Sequence, residues 1–75
     1  MANLAELNAN ERAIVIKVKA DGELKQRLAS LGLRKNADIT VKTYSLNKST
    51  IEVEIGTGMI ALRHEEAKEI EVKRV

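Results

Sequence analysis

His64, Glu65 and Glu66 are the residues of this 75-residue chain whose types could do chemistry side by side. An imidazole next to carboxylates offers ligand types for zinc or iron, and it is also the beginning of an acid–base pair. The spacing works against both uses. Adjacent side chains on a helical turn diverge, so the three do not converge on one point. Closed zinc or iron sites take three or four ligands, and the chain has no cysteine and no second histidine. With neither of these and no glycine-rich phosphate loop, no nucleophile, base and orienting group can be assembled. Glu52, Glu54, Glu69 and Glu71 alternate with aliphatic residues, as carboxylates on the solvated face of strands do. The stretch 64–66 therefore reads as a solvated polar turn, and these three residues are the ones to test should a metal be held.

The elements around that turn follow from hydrophobic period. Ile14, Ile16 and Val18 alternate in RAIVIKVK, with Lys17 and Lys19 opposite and Val15 on the nominal outer face. Asp38–Ser45 and Thr50–Ile55 form a hairpin turning at Asn47-Lys48, and Ile51, Val53 and Ile55 face one way. Gly56-Thr57-Gly58 is a tight turn before the short strand Met59–Leu62, and period two returns at Ile70 and Val72. Leu4 and Leu7 make one apolar turn that closes an end of the domain.

Between the first two strands the period changes. Leu24, Leu28 and Leu31 are spaced four and three apart, which places them on one face of a helix over about residues 23–31. Asp21 sits where an N-cap belongs, and Glu23 precedes Arg27 by four in the favourable order. Gly32 follows at the C-cap, where a left-handed residue is needed, and Leu33 is placed to fold back onto the last apolar turn. Asn10 and Asn36 stand at turns that call for positive φ.

Composition sets the limits. The chain has one tyrosine, no Phe and no Trp, so its core is aliphatic, and no aromatic platform exists for stacking bases. That shortage and a net charge of only +2 argue against nucleic acid. No apolar run approaches the roughly 18 residues of a membrane span, and the amino terminus lacks the layout of a signal peptide, so we expect no membrane insertion and a cytoplasmic location. Four or five short strands and one helix predict a mainly β fold, a small, partly open barrel. If the barrel binds a protein, aliphatic side chains must carry the contact. Leu46 at the hairpin tip is the first candidate, with Arg34 and Lys35 beside the helix cap.

The central stretch resembles the signature of the FeoA family, the small component of bacterial ferrous iron transport. Arg27, Leu28, Leu31, Gly32 and Leu33 fall in an RLxSLGL core, and Leu62, Arg63, Glu66 and Ala67 fall in a closing IALRxxEAxxIxV pattern. Asn10 and Asn36 stand where the family commonly has glycine, and the Ser45–Thr50 loop lacks the prolines often found there, which predicts a more mobile hairpin. The resemblance spans the chain and implies one SH3-like domain over residues 1–75. It also implies a non-enzymatic accessory to the membrane iron transporter FeoB, recruited to its cytosolic part and modulating its activity or assembly. The same barrel type closes some iron-dependent repressors, but those carry a helix-turn-helix domain that this sequence lacks. No cofactor is expected. The alternative is a metal-responsive domain that binds or delivers a divalent ion, with iron(II) the one to test.

Overall fold

Alternating aliphatic residues dictate most of the backbone. The computed structural model describes residues 2–75. It contains β1 (Ala2–Asn3), a 3-10 turn (Leu4–Glu6), β2 (Arg12–Val18), α1 (Gly22–Ser30), β3 (Asp38–Tyr44), β4 (Thr50–Ile55), β5 (Gly58–Arg63), α2 (His64–Ala67) and β6 (Ile70–Arg74). All pairings are antiparallel in one six-stranded sheet of order β1-β6-β2-β3-β4-β5, and the sheet does not close. Register shifts between Val15 and Lys17 and between Val41 and Thr43 bend β2 and β3, and such bulges curl a sheet. This is the mainly β, partly open arrangement that the sequence predicts, with the two-residue β1 as an additional edge.

The core fills the curl. Ile39 and Val41 of β3, Ile51 and Val53 of β4, and Ile70 and Val72 of β6 are fully buried at alternate positions. Each such side chain contributes about 1.5–3 kcal/mol on leaving water. Among the described residues no polar or charged residue is buried as a whole, although the Asn3 side-chain oxygen is buried without a hydrogen-bond partner. Leu4 and Leu7 are buried at one end, and the Tyr44 hydroxyl donates to the Leu7 carbonyl.

On β2 the structure reverses the expected face. Ala13 and Val15 point into the core, whereas Ile14 and Ile16 are half-buried on the other side. The run Ala-Ile-Val-Ile is apolar on both faces, so its period cannot choose between them. Pairing decides it: Val15 exchanges backbone hydrogen bonds with the Asn36-Ala37 segment, and the bulge then resets the phase toward Val18.

The helix stripe is narrower than predicted. Leu28 is fully buried, Leu24 is half-buried, and Leu31 becomes the C-cap with 40% of its surface exposed. The Leu31 N–H still bonds to Arg27 O at 3.2 Å and its backbone stays in the α region, so it keeps its helical direction, at the exposed margin of the stripe. Gly32 has φ +97° and its N–H donates to Ala29 O at 3.0 Å, while the Leu33 N–H donates to Leu28 O at 2.9 Å. These two bonds define a Schellman motif, and Leu28 and Leu33 lie buried beneath it. Asp21 occupies the N-cap position but its side chain makes no capping bond. Asn10 and Asn36 have φ of 70° and 75°, as expected, and Lys48 joins them at 60°.

Candidate functional site

α2 begins where β5 ends, so the His-Glu-Glu run starts on the last strand residue's heels. The His64 N–H donates to Ser49 O at 2.9 Å, which continues the β4–β5 ladder by one residue. His64 and Glu65 project into solvent, and with Ser49, Thr50 and Arg63 they line a shallow open groove. Glu66 turns inward, with its side chain only 15% exposed. One of its oxygens, Oε1, accepts the Arg63 N–H at 3.0 Å, and Oε2 accepts Arg27 Nη2 at 2.7 Å. Both oxygens are thus engaged, and the three side chains do not converge. Among the described residues no group of three or more His, Cys, Asp or Glu is arranged to hold a metal ion.

The Arg27–Glu66 pair crosses 39 residues of sequence. It replaces the expected Glu23–Arg27 pair, because the guanidinium reaches a carboxylate that is already held and partly shielded. Periodicity gives no signal for such a contact. The only hint lay in the two family motifs, which each contribute one partner.

The predicted contact residues fall on two separate corners. Arg34 and Lys35 are exposed after the Schellman turn, and neither makes an ion pair among the described residues. Leu46 stands at the tip between β3 and β4, fully exposed. The tip closes on side-chain and backbone hydrogen bonds of its own. Asn47 Oδ1 accepts from the Ser45 hydroxyl at 3.0 Å, the Ser49 N–H at 3.1 Å and the Ser49 hydroxyl at 2.7 Å. Backbone bonds from Ser45 N–H to Thr50 O and from Lys48 N–H to Ser45 O close it at 2.9 Å each.

Charges elsewhere brace the sheet. Arg12 holds Asp38 through two nitrogens, at 2.9 and 2.6 Å, and this hydrogen bonding lowers the Asp38 carboxyl below its ordinary value. Glu11 is lowered chiefly because the Asn8 N–H donates to it at 2.9 Å, and Arg74 adds to the effect. Burial, and secondarily the Glu11 charge, raises the Tyr44 phenol.

These features describe a small aliphatic barrel domain of the SH3-like kind, in which four ion pairs among the described residues fasten one element to another. Comparison with known proteins gives the class a family. The FeoA domain model matches residues 2–74. A Campylobacter jejuni protein that carries the name Fe(2+) transport protein A is 42% identical over 72 residues, spanning 96% of this chain and 97% of its own. The solution structure of FeoA from Chlorobium tepidum superposes with a TM-score of 0.92 at 33% identity, covering 97% of this chain and 70% of that one. Stenotrophomonas maltophilia FeoA, solved with zinc and described as a prokaryotic SH3 domain protein, gives 0.85 at 27% identity over 97% and 91% of the two chains. The chain belongs to the FeoA family, which is associated with ferrous iron transport.

Proposed function

We propose that this domain is a non-enzymatic, cytosolic accessory of ferrous iron uptake. It docks on the cytosolic part of a FeoB-type membrane transporter and modulates that protein's activity or assembly. The observation that carries this reading is the division of labour between the two corners. The charged side chains of the family motifs hold the domain to itself through Arg27 and Glu66, whereas Leu46 is held in water on a fastened turn. A large aliphatic side chain on a preorganised turn loses little conformational freedom when a partner covers it. Membership of the FeoA family supplies the iron context, and a role as an iron transport activating factor has been suggested for the Stenotrophomonas relative. Among the described residues no helix is long and apolar enough to cross a membrane, which suits a domain brought to the membrane by its partner.

Calorimetry with the transporter's soluble domain, with and without chelator and nucleotide, tests the reading. Binding should persist in chelator. Leu46→Asp should weaken it at least about tenfold through lost desolvation, and reversing Arg34 and Lys35 should mainly alter association rate and salt dependence. The metal-responsive reading has one observation behind it, the zinc in the Stenotrophomonas structure. Binding that vanishes with chelator and returns with iron(II), or that is lost in His64→Ala, would replace metal-free docking with that reading.

A further inference from the structure

The open sheet has two edges, and the chain treats them differently. At one edge β1 has only two residues, and shortness is a usual guard of an exposed edge. At the other edge β5 runs for six residues and is paired on one side only. Gly58, Met59 and Ala61 are exposed there. No charge, proline or register shift interrupts the strand from Gly58 to Leu62, so it lacks the devices that blunt an edge.

Phase decides which backbone groups this edge offers. The His64 N–H bond to Ser49 O makes those two a hydrogen-bonded pair, so Ile51–Leu62, Val53–Ile60 and Ile55–Gly58 are bonded pairs in the same register. Met59, Ala61 and Arg63 therefore direct their N–H and C=O groups away from β4. The Arg63 N–H is already held by Glu66 Oε1 at 3.0 Å. Among the described residues, the N–H and C=O groups of Met59 and Ala61 have no backbone partner. The free ladder is thus short and bounded, by Glu66 at one end and by the Gly56-Thr57 turn at the other.

A ladder of this length fits a second copy of itself. A two-fold axis at Ile60 sets Met59 opposite Ala61 of the second copy, and Ala61 opposite its Met59. Each of these pairs exchanges both of its backbone hydrogen bonds, and the two Ile60 side chains meet at the closer, non-bonded position between them. Met59, long and 54% exposed, then lies across a small alanine on each side of the axis. Glu54 and Glu52 pair with Met59 and Ala61 from β4, so the uncharged strands keep the carboxylates of the two copies apart. A longer foreign strand would gain nothing past Ala61, because the Arg63 N–H is held.

We infer that β5 is a self-association edge, at which two copies of this chain pair antiparallel about Ile60 into one continuous sheet. The join occupies both long edges and leaves only the two β1 strands outside, so it closes as a dimer. Met59, Ile60 and Ala61 from each copy fall short of the roughly 1,200 Å² of a stable interface, so the pairing is weak and follows local concentration. This inference does not depend on the transporter as partner.

Sedimentation equilibrium of the whole domain tests it. As the chain is concentrated to about 2 mM, the mass should rise from 8.3 kDa toward twice that value and no further. Over the same range the amide NMR signals of Met59 and Ala61 should move, and those of Val15 and Val41 should stay. Met59→Glu with Ala61→Glu should weaken the dimer at least about tenfold, because like charges then face each other in both pairs. Met59→Lys with Ala61→Glu should keep its strength to within about threefold, since position 59 meets position 61 and the charges are opposite. Both positions are exposed, so the monomer's fold survives either change. A single 8.3 kDa species at about 2 mM would overturn the inference. So would a mass that grows past two copies, because β5 would then pair head to tail with some other strand. Concentration-dependent shifts that spare Met59 and Ala61 would place the join elsewhere, and equal loss in the two double variants would overturn the register about Ile60.

Discussion

The corner at Leu31–Asn36 and the tip at Ser45–Thr50 use the same device to opposite ends. Each turns the chain with residues in the left-handed region, Gly32 and Asn36 in one and Lys48 in the other. Each closes on its own hydrogen bonds. The corner sends its leucine, Leu33, into the core, and the tip sends Leu46 into water. The difference lies in what flanks the turn. Leu33 follows a helix whose last turn has Leu28 waiting, whereas Leu46 sits between two hydroxyl residues that bond to Asn47 and to the backbone across the hairpin. Turn chemistry fixes the path, and neighbouring apolar surface decides whether a side chain is buried or displayed.

The contrast predicts that substitutions at the corner cost stability and those at the tip do not. Gly32→Val should be the most severe. It forces a β-branched residue to φ +97° and places a Cβ 3.1 Å from Ile55, so the loss should reach about 1–3 kcal/mol from strain, with crowding in addition. A urea midpoint that does not move would show that the corner tolerates a side chain there. Glu66→Ala comes next, because it strips the acceptor from the Arg63 N–H and the partner from Arg27 together. Denaturation should report a loss of about 1–2 kcal/mol.

Acid should follow. Asp38 and Glu11 are lowered in the folded domain from ordinary values of 3.8 and 4.5, so their contribution is present above those values. It is lost as pH falls through the lower folded values. Thermal midpoints should therefore drop progressively below about pH 4.5. A midpoint flat down to the folded values would mean that the Arg12 and Arg74 bonds are not maintained in solution.

Asn36→Gly should change stability by under about 1 kcal/mol, since glycine relieves the positive φ while adding freedom to the unfolded chain. Leu46→Ser should be the mildest, within about 0.5 kcal/mol in a urea titration. A larger loss at Leu46 would show that the tip leucine contributes to folding and would erase the contrast between the two turns.

Much of this architecture was legible in the sequence. β3, β4 and β6 present one aliphatic face and one charged face, so period alone placed them. Gly32 and the two asparagines announced their backbone conformation by residue type. The inner face of β2 was not legible, because Ile14, Val15 and Ile16 are apolar on both sides and long-range pairing made the choice. Arg27 had a local carboxylate within reach, and nothing in the spacing favoured one 39 residues away. At residues 64–66 the residue types were legible and the direction of each side chain was not. That Glu66 bonds in two directions, while its neighbours face water, required coordinates.

Tyr44 gives the molecule an optical property. It is the sole aromatic residue, half-buried, with its hydroxyl on the Leu7 carbonyl. Near-ultraviolet absorption and emission therefore arise from one phenol seated between β3 and the amino-terminal turn. Any event that undocks Leu7 changes that signal, whereas motion that does not disturb Tyr44 or its surroundings leaves it unchanged. The domain carries a spectroscopic label of its own, at one end, without any dye attached.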